Sequence, residues 1–142
     1  MFLLLLFLSS VLLSHSQSAS GGFSIDVTDK EELCDEYVEN TCRMTRDLST
    51  VVDINIVVNG QYSVEDITWL RRIHIYNDDK LYLVPLLEEG KPPENMYLSN
   101  NRTHLVILYL RDYDVHSNSF KVSVTHQDNV AEIVFVINIK PI

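Results

Sequence analysis

The chain has 142 residues, of which 46% are hydrophobic, and its formal charge is −9. That charge sets it against phosphate backbones and anionic lipid, so nucleic acid is not an expected partner. The only two cysteines, Cys34 and Cys42, are too few to frame a disulfide miniprotein, so a hydrophobic core must carry the fold.

Phe2 to Leu13 is an apolar run broken only by Ser9 and Ser10, and small and polar residues follow from Ser14 to Gly22. This reads as a signal peptide over residues 1–20, with cleavage after Ser18 or Ser20. The run is shorter than the about 20 apolar residues that span a bilayer. Val130 to Ile139 is apolar-rich as well, but short and alternating, so no transmembrane segment is expected. The expected location is secreted, or extracellular as the outer piece of a longer receptor.

Residues 21–50 read as an N-terminal strand and an acidic segment closed by a Cys34–Cys42 disulfide, which an oxidising compartment favours. Thr28-Asp29-Lys30-Glu31 has the spacing of a capping box. Leu33, Tyr37 and Val38 then form either a helix of one or two turns or an irregular acidic loop.

Residues 51–142 read as the body of the same 21–142 domain, and there the period changes to two. Val52, Ile54, Ile56 and Val58 alternate with polar residues until Asn59-Gly60 breaks the run. Ile67, Trp69 and Ile73 alternate with Thr68 and Arg72. Lys80 to Pro85 is a short strand after the turn-forming Asn77-Asp78-Asp79, and Glu89-Gly90-Lys91-Pro92-Pro93 is a loop. His104 to Leu110, Ser119 to Thr125 and Glu132 to Ile139 follow, with Gln127-Asp128-Asn129 as a hairpin turn. Short β-runs spaced by turns, with no helical pattern between them, point to an all-β sandwich or barrel.

Three ordered patterns carry a resemblance. Ile56 precedes Trp69 by thirteen residues; Leu105-Val106-Ile107-Leu108-Tyr109-Leu110 is followed by Asp112 and Asp114; and Phe120-Lys121-Val122-Ser123-Val124 precedes a terminal strand. Over about residues 50 to 140 the chain resembles a variable-type domain of the immunoglobulin superfamily without the inter-sheet disulfide. It is similar to the membrane-distal domain of lymphocyte adhesion receptors of the signalling-lymphocyte-activation family. The resemblance implies an immunoglobulin-like antiparallel β-sandwich. Its core would include Ile56, Trp69, Leu105, Ile107, Phe120 and Val122, with Ile56 and Val122 standing where most members carry cysteines. Phe120 replaces the usual tyrosine, and Cys34 and Cys42 have no counterpart.

The resemblance also implies binding through the sheet built from the third, fourth, sixth and seventh strands of that fold. Its outward residues would include Arg72, Lys80, Tyr82, Lys121, Ser123 and Thr125, with Val134 and Val136 nearby. Cations around an aromatic and aliphatic centre suit a protein contact. The expected partner is a cell-surface receptor or a second copy of the chain in a weak homodimer.

Catalysis is not expected. His74, His104, His116 and His126 form no metal-binding spacing, and no nucleophile motif is present, so no cofactor or metal is expected. Asp112 and Asp114 lack the run of a calcium loop and read as corner-shaping residues. Asn101-Arg102-Thr103 is a glycosylation sequon in a loop before a strand, whereas Asn40-Thr41-Cys42 matches only the rare cysteine form. The alternative function is a small-ligand carrier built as a β-barrel with a hollow or polar interior.

Overall fold

The computed structural model describes residues 23–74, 81–110 and 118–140. The signal peptide, Lys80, Asp112, Asp114 and His116 of the sequence reading lie outside the described residues.

Among these residues the chain folds into two sheets packed face to face, the immunoglobulin-like sandwich expected from the sequence. Strands β1 (Phe23–Val27), β4 (Val52–Gly60), β8 (His104–Ile107) and β7 (Met96–Leu98) form a four-stranded sheet in the order β1-β4-β8-β7. The other sheet holds β2 (Glu36–Val38), β3 (Thr41–Arg46), β10 (Asn129–Ile139), β9 (Ser119–His126), β5 (Ile67–His74) and β6 (Leu81–Pro85), in that order. All pairings are antiparallel except β3 with β10, which run parallel. The described strands form two separate sheets, a sandwich rather than a closed barrel.

The period-two pattern explains the packing. Val52, Ile54 and Ile56 of β4 face inward with Leu105 and Ile107 of β8. From the opposite sheet come Ile67 and Trp69 of β5, Phe120, Val122 and Val124 of β9, and Ile133, Phe135 and Ile137 of β10. All six expected core residues are therefore buried. Burying one large aliphatic or aromatic side chain contributes roughly 1.5–3 kcal/mol, so this interior supplies most of the driving force. Trp69 lies opposite Val122 in register and stacks on Phe135 with ring centroids 6.0 Å apart. Its indole Nε1–H donates to the Arg102 carbonyl at 2.8 Å, so the polar end of the ring is satisfied inside the sandwich.

The acidic segment is more ordered than the sequence suggested. Cys34 and Cys42 are disulfide-bonded, with Cα atoms 5.3 Å apart, and residues 36–46 add β2 and β3 to the larger sheet. From β1 in one sheet the described chain crosses to the other as β3, where Cys42 and Met44 are buried in the core.

Three local expectations need correction. The capping box at Thr28 does not form. The Thr28 N–H is taken by the Asn55 carbonyl at 2.8 Å, which keeps Thr28 beside β4, and the helix α1 (Lys30–Leu33) starts one residue later from Asp29 at φ 54°. Asn59-Gly60 does not stop the strand ahead of it: both residues belong to β4, pairing with Ser24 and Phe23, and the strand ends at Gly60. The run from His104 to Leu110 is strand only to Ile107. Beyond it the Leu108 N–H turns to the Asn95 carbonyl and that of Leu110 to the Leu48 carbonyl.

Candidate partner-binding face

Strand parity and cross-strand register define the outer face of the six-stranded sheet. One row across it runs Val38, Thr41, Val134, Lys121, Leu70 and Pro85. The next, two residues along each strand, runs Glu36, Arg43, Val136, Ser119, Arg72 and Leu83. Glu132, Ser123 and Thr68 make a third partial row, and Val130 lies opposite Thr125 beyond it.

Four of the expected contact residues, Arg72, Lys121, Ser123 and Thr125, are thus brought together on one surface. Val134 and Val136 stand at its centre. Tyr82 does not join them. It pairs with Ile73, which shares the side of β5 that carries Ile67 and Trp69, so Tyr82 belongs to the inward side of β6. The outward positions of that strand are Leu83 and Pro85, and Leu83 is 43% exposed. Lys80, the sixth expected residue, is outside the described residues.

The sequence reading missed Leu70, Leu83, Pro85 and Arg43. Leu70 follows Trp69 directly, and the alternation Ile67, Trp69, Ile73 already implied that it faces outward. In Leu81-Tyr82-Leu83-Val84 every position is apolar or aromatic, so the pattern gives no parity and only the pairing with β5 decides it.

Charge on this face is arranged around the apolar centre. Lys121 Nζ lies 2.9 Å from Glu132, with both side chains partly exposed. Arg43 stands 4.0 Å from Glu36, a loose surface pair. Arg72 makes no ion pair among the described residues. It lines a shallow dimple of about 10 Å³ with Leu83, Ser119, Lys121 and Val134. The outer face of the smaller sheet differs. It presents Asp26 and Asp53 among Ser24, Asn55 and Asn59, with Val57, Val106 and Tyr97 beside them, and His104 there pairs with Asp53. On an acidic chain, the larger sheet therefore offers the surface where cations and aliphatic side chains coincide.

Other polar contacts tie neighbouring elements together. His126 Nδ1 sits 2.9 Å from Asp66, joining the β9–β10 turn to the 3₁₀ turn Val64–Asp66 that leads into β5. Asp66 Oδ2 also accepts the Ser63 N–H at 2.9 Å. That hydrogen bond, reinforced by His126, holds the Asp66 carboxyl below its ordinary pKa. Asp26 is lowered likewise, first by the Val27 N–H and then by Lys30. Among the described residues no group of three or more His, Cys, Asp or Glu side chains could hold a metal ion. No described helix is long and apolar enough to cross a membrane.

Asn101 is exposed in the turn between β7 and β8. Its Oδ1 accepts from Ser99 Oγ at 2.6 Å and Thr103 Oγ1 at 3.0 Å, so the sequon sits in a closed side-chain turn. Arg102, at φ 60°, donates from Nη1 to the Ile67 carbonyl at 3.0 Å and anchors that turn to β5. No protein-family model matches the chain, and the comparison with curated proteins gives no match either.

Proposed function

We propose that this chain is an extracellular recognition domain of the immunoglobulin superfamily that binds a protein through the outer face of its six-stranded sheet. The observation that carries the reading is the grouping of Val134, Val136, Leu70 and Leu83 with the cations Arg72 and Lys121 on one surface of a chain of charge −9. Aliphatic side chains supply burial at the centre of such a contact, and the cations supply orientation and encounter rate. The partner is a cell-surface protein or a second copy of the chain, bound without a cofactor and without catalysis. Secretion is supported by the apolar leader-like run and the Cys34–Cys42 disulfide, which persists in an oxidising compartment. Asn101 is the glycan acceptor of the secreted form.

Size-exclusion chromatography with light scattering across protein and salt concentrations tests this directly. A concentration-dependent dimer that weakens with salt, and is lost in Arg72→Glu, identifies the second copy as partner. A strict monomer whose Arg72→Glu form binds cells bearing the partner as well as the native protein does would overturn the reading.

A further inference from the structure

Arg71 lies on the opposite side of β5 from Arg72, facing inward opposite Phe120 of β9 and Val84 of β6. Its Nε is fully buried and has no hydrogen-bond partner. Its guanidinium forms no ion pair among the described residues. A buried N–H donor without an acceptor is unfavourable, although the Arg71 side chain as a whole is only partly buried.

A cleft of about 380 Å³ opens beside it. Leu86, 2% exposed, and the partly buried Arg71 form its inner part, whereas Glu88, Glu89, Lys91 and Glu94 are exposed at its rim. The walls are stiff. Glu88 and Lys91 exchange two backbone hydrogen bonds of 2.8 and 3.0 Å, around Glu89 at φ 53° and Gly90 at φ 79°. Pro92 and Pro93 follow, and the loop is anchored at one end by Leu86 N–H to the Trp69 carbonyl and at the other by Met96 N–H to that of Pro93. These hydrogen bonds and the two prolines restrict the backbone that walls the cleft.

We propose that this cleft binds an amino-acid-sized zwitterion, with its carboxylate on Arg71 and its ammonium group among Glu88, Glu89 and Glu94. A planar guanidinium matches a carboxylate in bidentate fashion. Three rim carboxylates disfavour a dianion such as a phosphate ester, and an amine alone would leave Arg71 without an acceptor. The volume lies at the small end of the roughly 300–1,000 Å³ range of ligand clefts, which suits one or two residues better than a nucleotide. The ligand is a free amino acid or the C-terminus of a peptide ending in lysine, since both present the same two charges. The cleft borders the sheet face at Pro85, which lines it and stands in the outward row of β6, while Arg71 lies on the opposite side of β5 from that face.

The Arg71 Nε–H gives its own signal in ¹⁵N-resolved NMR of the labelled protein, assigned by its loss in Arg71→Gln. L-lysine or the peptide Gly-Gly-Lys is expected to move that signal saturably. Acetate and n-butylamine, each carrying half of the recognised chemistry, should act at least about tenfold more weakly. Saturation by lysine alone identifies a free amino acid, and saturation by the peptide but not by its C-terminal amide identifies a chain end. Glu89→Gln with Glu94→Gln should weaken binding several-fold and leave the rest of the spectrum folded. The proposal is overturned if no probe saturates in the tens of millimolar. It is equally overturned if Asp112→Asn or Asp114→Asn moves the Nε–H signal of the free protein, because the chain then supplies the carboxylate itself.

Discussion

Lys121 on β9 and Glu132 on β10 form a diagonal cross-strand pair with Nζ and Oε2 2.9 Å apart, on the same surface as Arg72. The pair neutralises one cation of the face and fixes its position beside Val134. Both side chains are partly solvated, so Glu132→Gln should change unfolding stability by less than about 1 kcal/mol. It should nevertheless raise the net positive charge of the face and speed association with an acidic partner at low salt. Thermal unfolding and association rates measured at two salt concentrations would separate these effects. A large loss of stability with no kinetic change would assign the pair a structural role instead.

Trp69 stacks on Phe135 within the larger sheet and reaches the smaller one through its hydrogen bond to the Arg102 carbonyl in the β7–β8 turn. Trp69→Phe removes the donor, leaves that carbonyl without its partner and opens a small cavity. The expected cost is about 2–3 kcal/mol, the sum of a modest cavity and one lost buried hydrogen bond. Urea unfolding should show a lower midpoint at unchanged slope. An unaltered midpoint would mean that solvent replaces the indole contact.

The core was legible in the sequence because β4, β5, β9 and β10 are long enough for alternation to fix parity. Ile56, Trp69, Phe120 and Val122 follow from that pattern alone, and all are buried. The strands that escaped notice are the short ones. β2 and β7 have three residues each, too few to show a period, and β3 is placed by parallel pairing with a strand about ninety residues away in sequence. The partner face was half legible for a related reason. Lys121, Ser123 and Thr125 lie on a strand with clear alternation, whereas Tyr82 lies in an apolar run with none. Arg71 shares the parity of Ile67, Trp69 and Ile73, so the alternation already implied an inward position, but no sequence pattern shows that its Nε finds no acceptor there.

The disulfide joins the end of α1 to the core strand β3 and closes a short loop. In the chain-entropy account a loop of that length contributes about 2–3 kcal/mol by restricting the unfolded chain. Other contacts also hold this segment. Asp35 Oδ2 accepts the Thr45 N–H at 2.9 Å, Arg46 donates to the Leu33 carbonyl at 2.6 Å, and Lys30 lies 4.9 Å over the Tyr37 ring. The Cys34→Ser, Cys42→Ala double variant should therefore stay folded but lose about that much stability. Hydrogen exchange should quicken in α1 and β2 and stay slow in β9 and β10. Uniform acceleration across the sandwich would show that the bridge supports the whole fold.

Asp66 and Asp26 set an acid limb for stability. In the folded state both carboxyls titrate below their ordinary value, Asp66 chiefly through the Ser63 N–H with His126 adding, and Asp26 chiefly through the Val27 N–H with Lys30 adding. A depressed folded-state pKa stabilises above the unfolded-state value of about 3.9 and loses that contribution as pH falls through the folded-state value. Stability from these groups is thus complete at neutral pH and declines only below about pH 4. Asp66→Asn should lower the neutral-pH melting temperature and flatten the acid limb, so that the native and variant curves converge at low pH. Parallel curves would show that Asp66 does not titrate differently in the two states.

Asn101 provides the test of the extracellular assignment. Asn101→Gln would disturb the turn, because Oδ1 accepts from Ser99 and Thr103 and a longer side chain misplaces that oxygen. Asn101→Asp keeps an acceptor oxygen in the same place and removes only the amide that a glycan requires. Expressed through a secretory pathway, the native chain should run heavier than the Asp variant by one glycan, and peptide N-glycosidase should abolish the difference. Asn101 lies in a turn of the smaller sheet, whereas the proposed partner face is on the far side of the larger one. The variant and the native protein should therefore bind the partner equally well. Binding that strengthens once the glycan is absent would instead place the contact at the end of the sandwich that carries the β7–β8 turn.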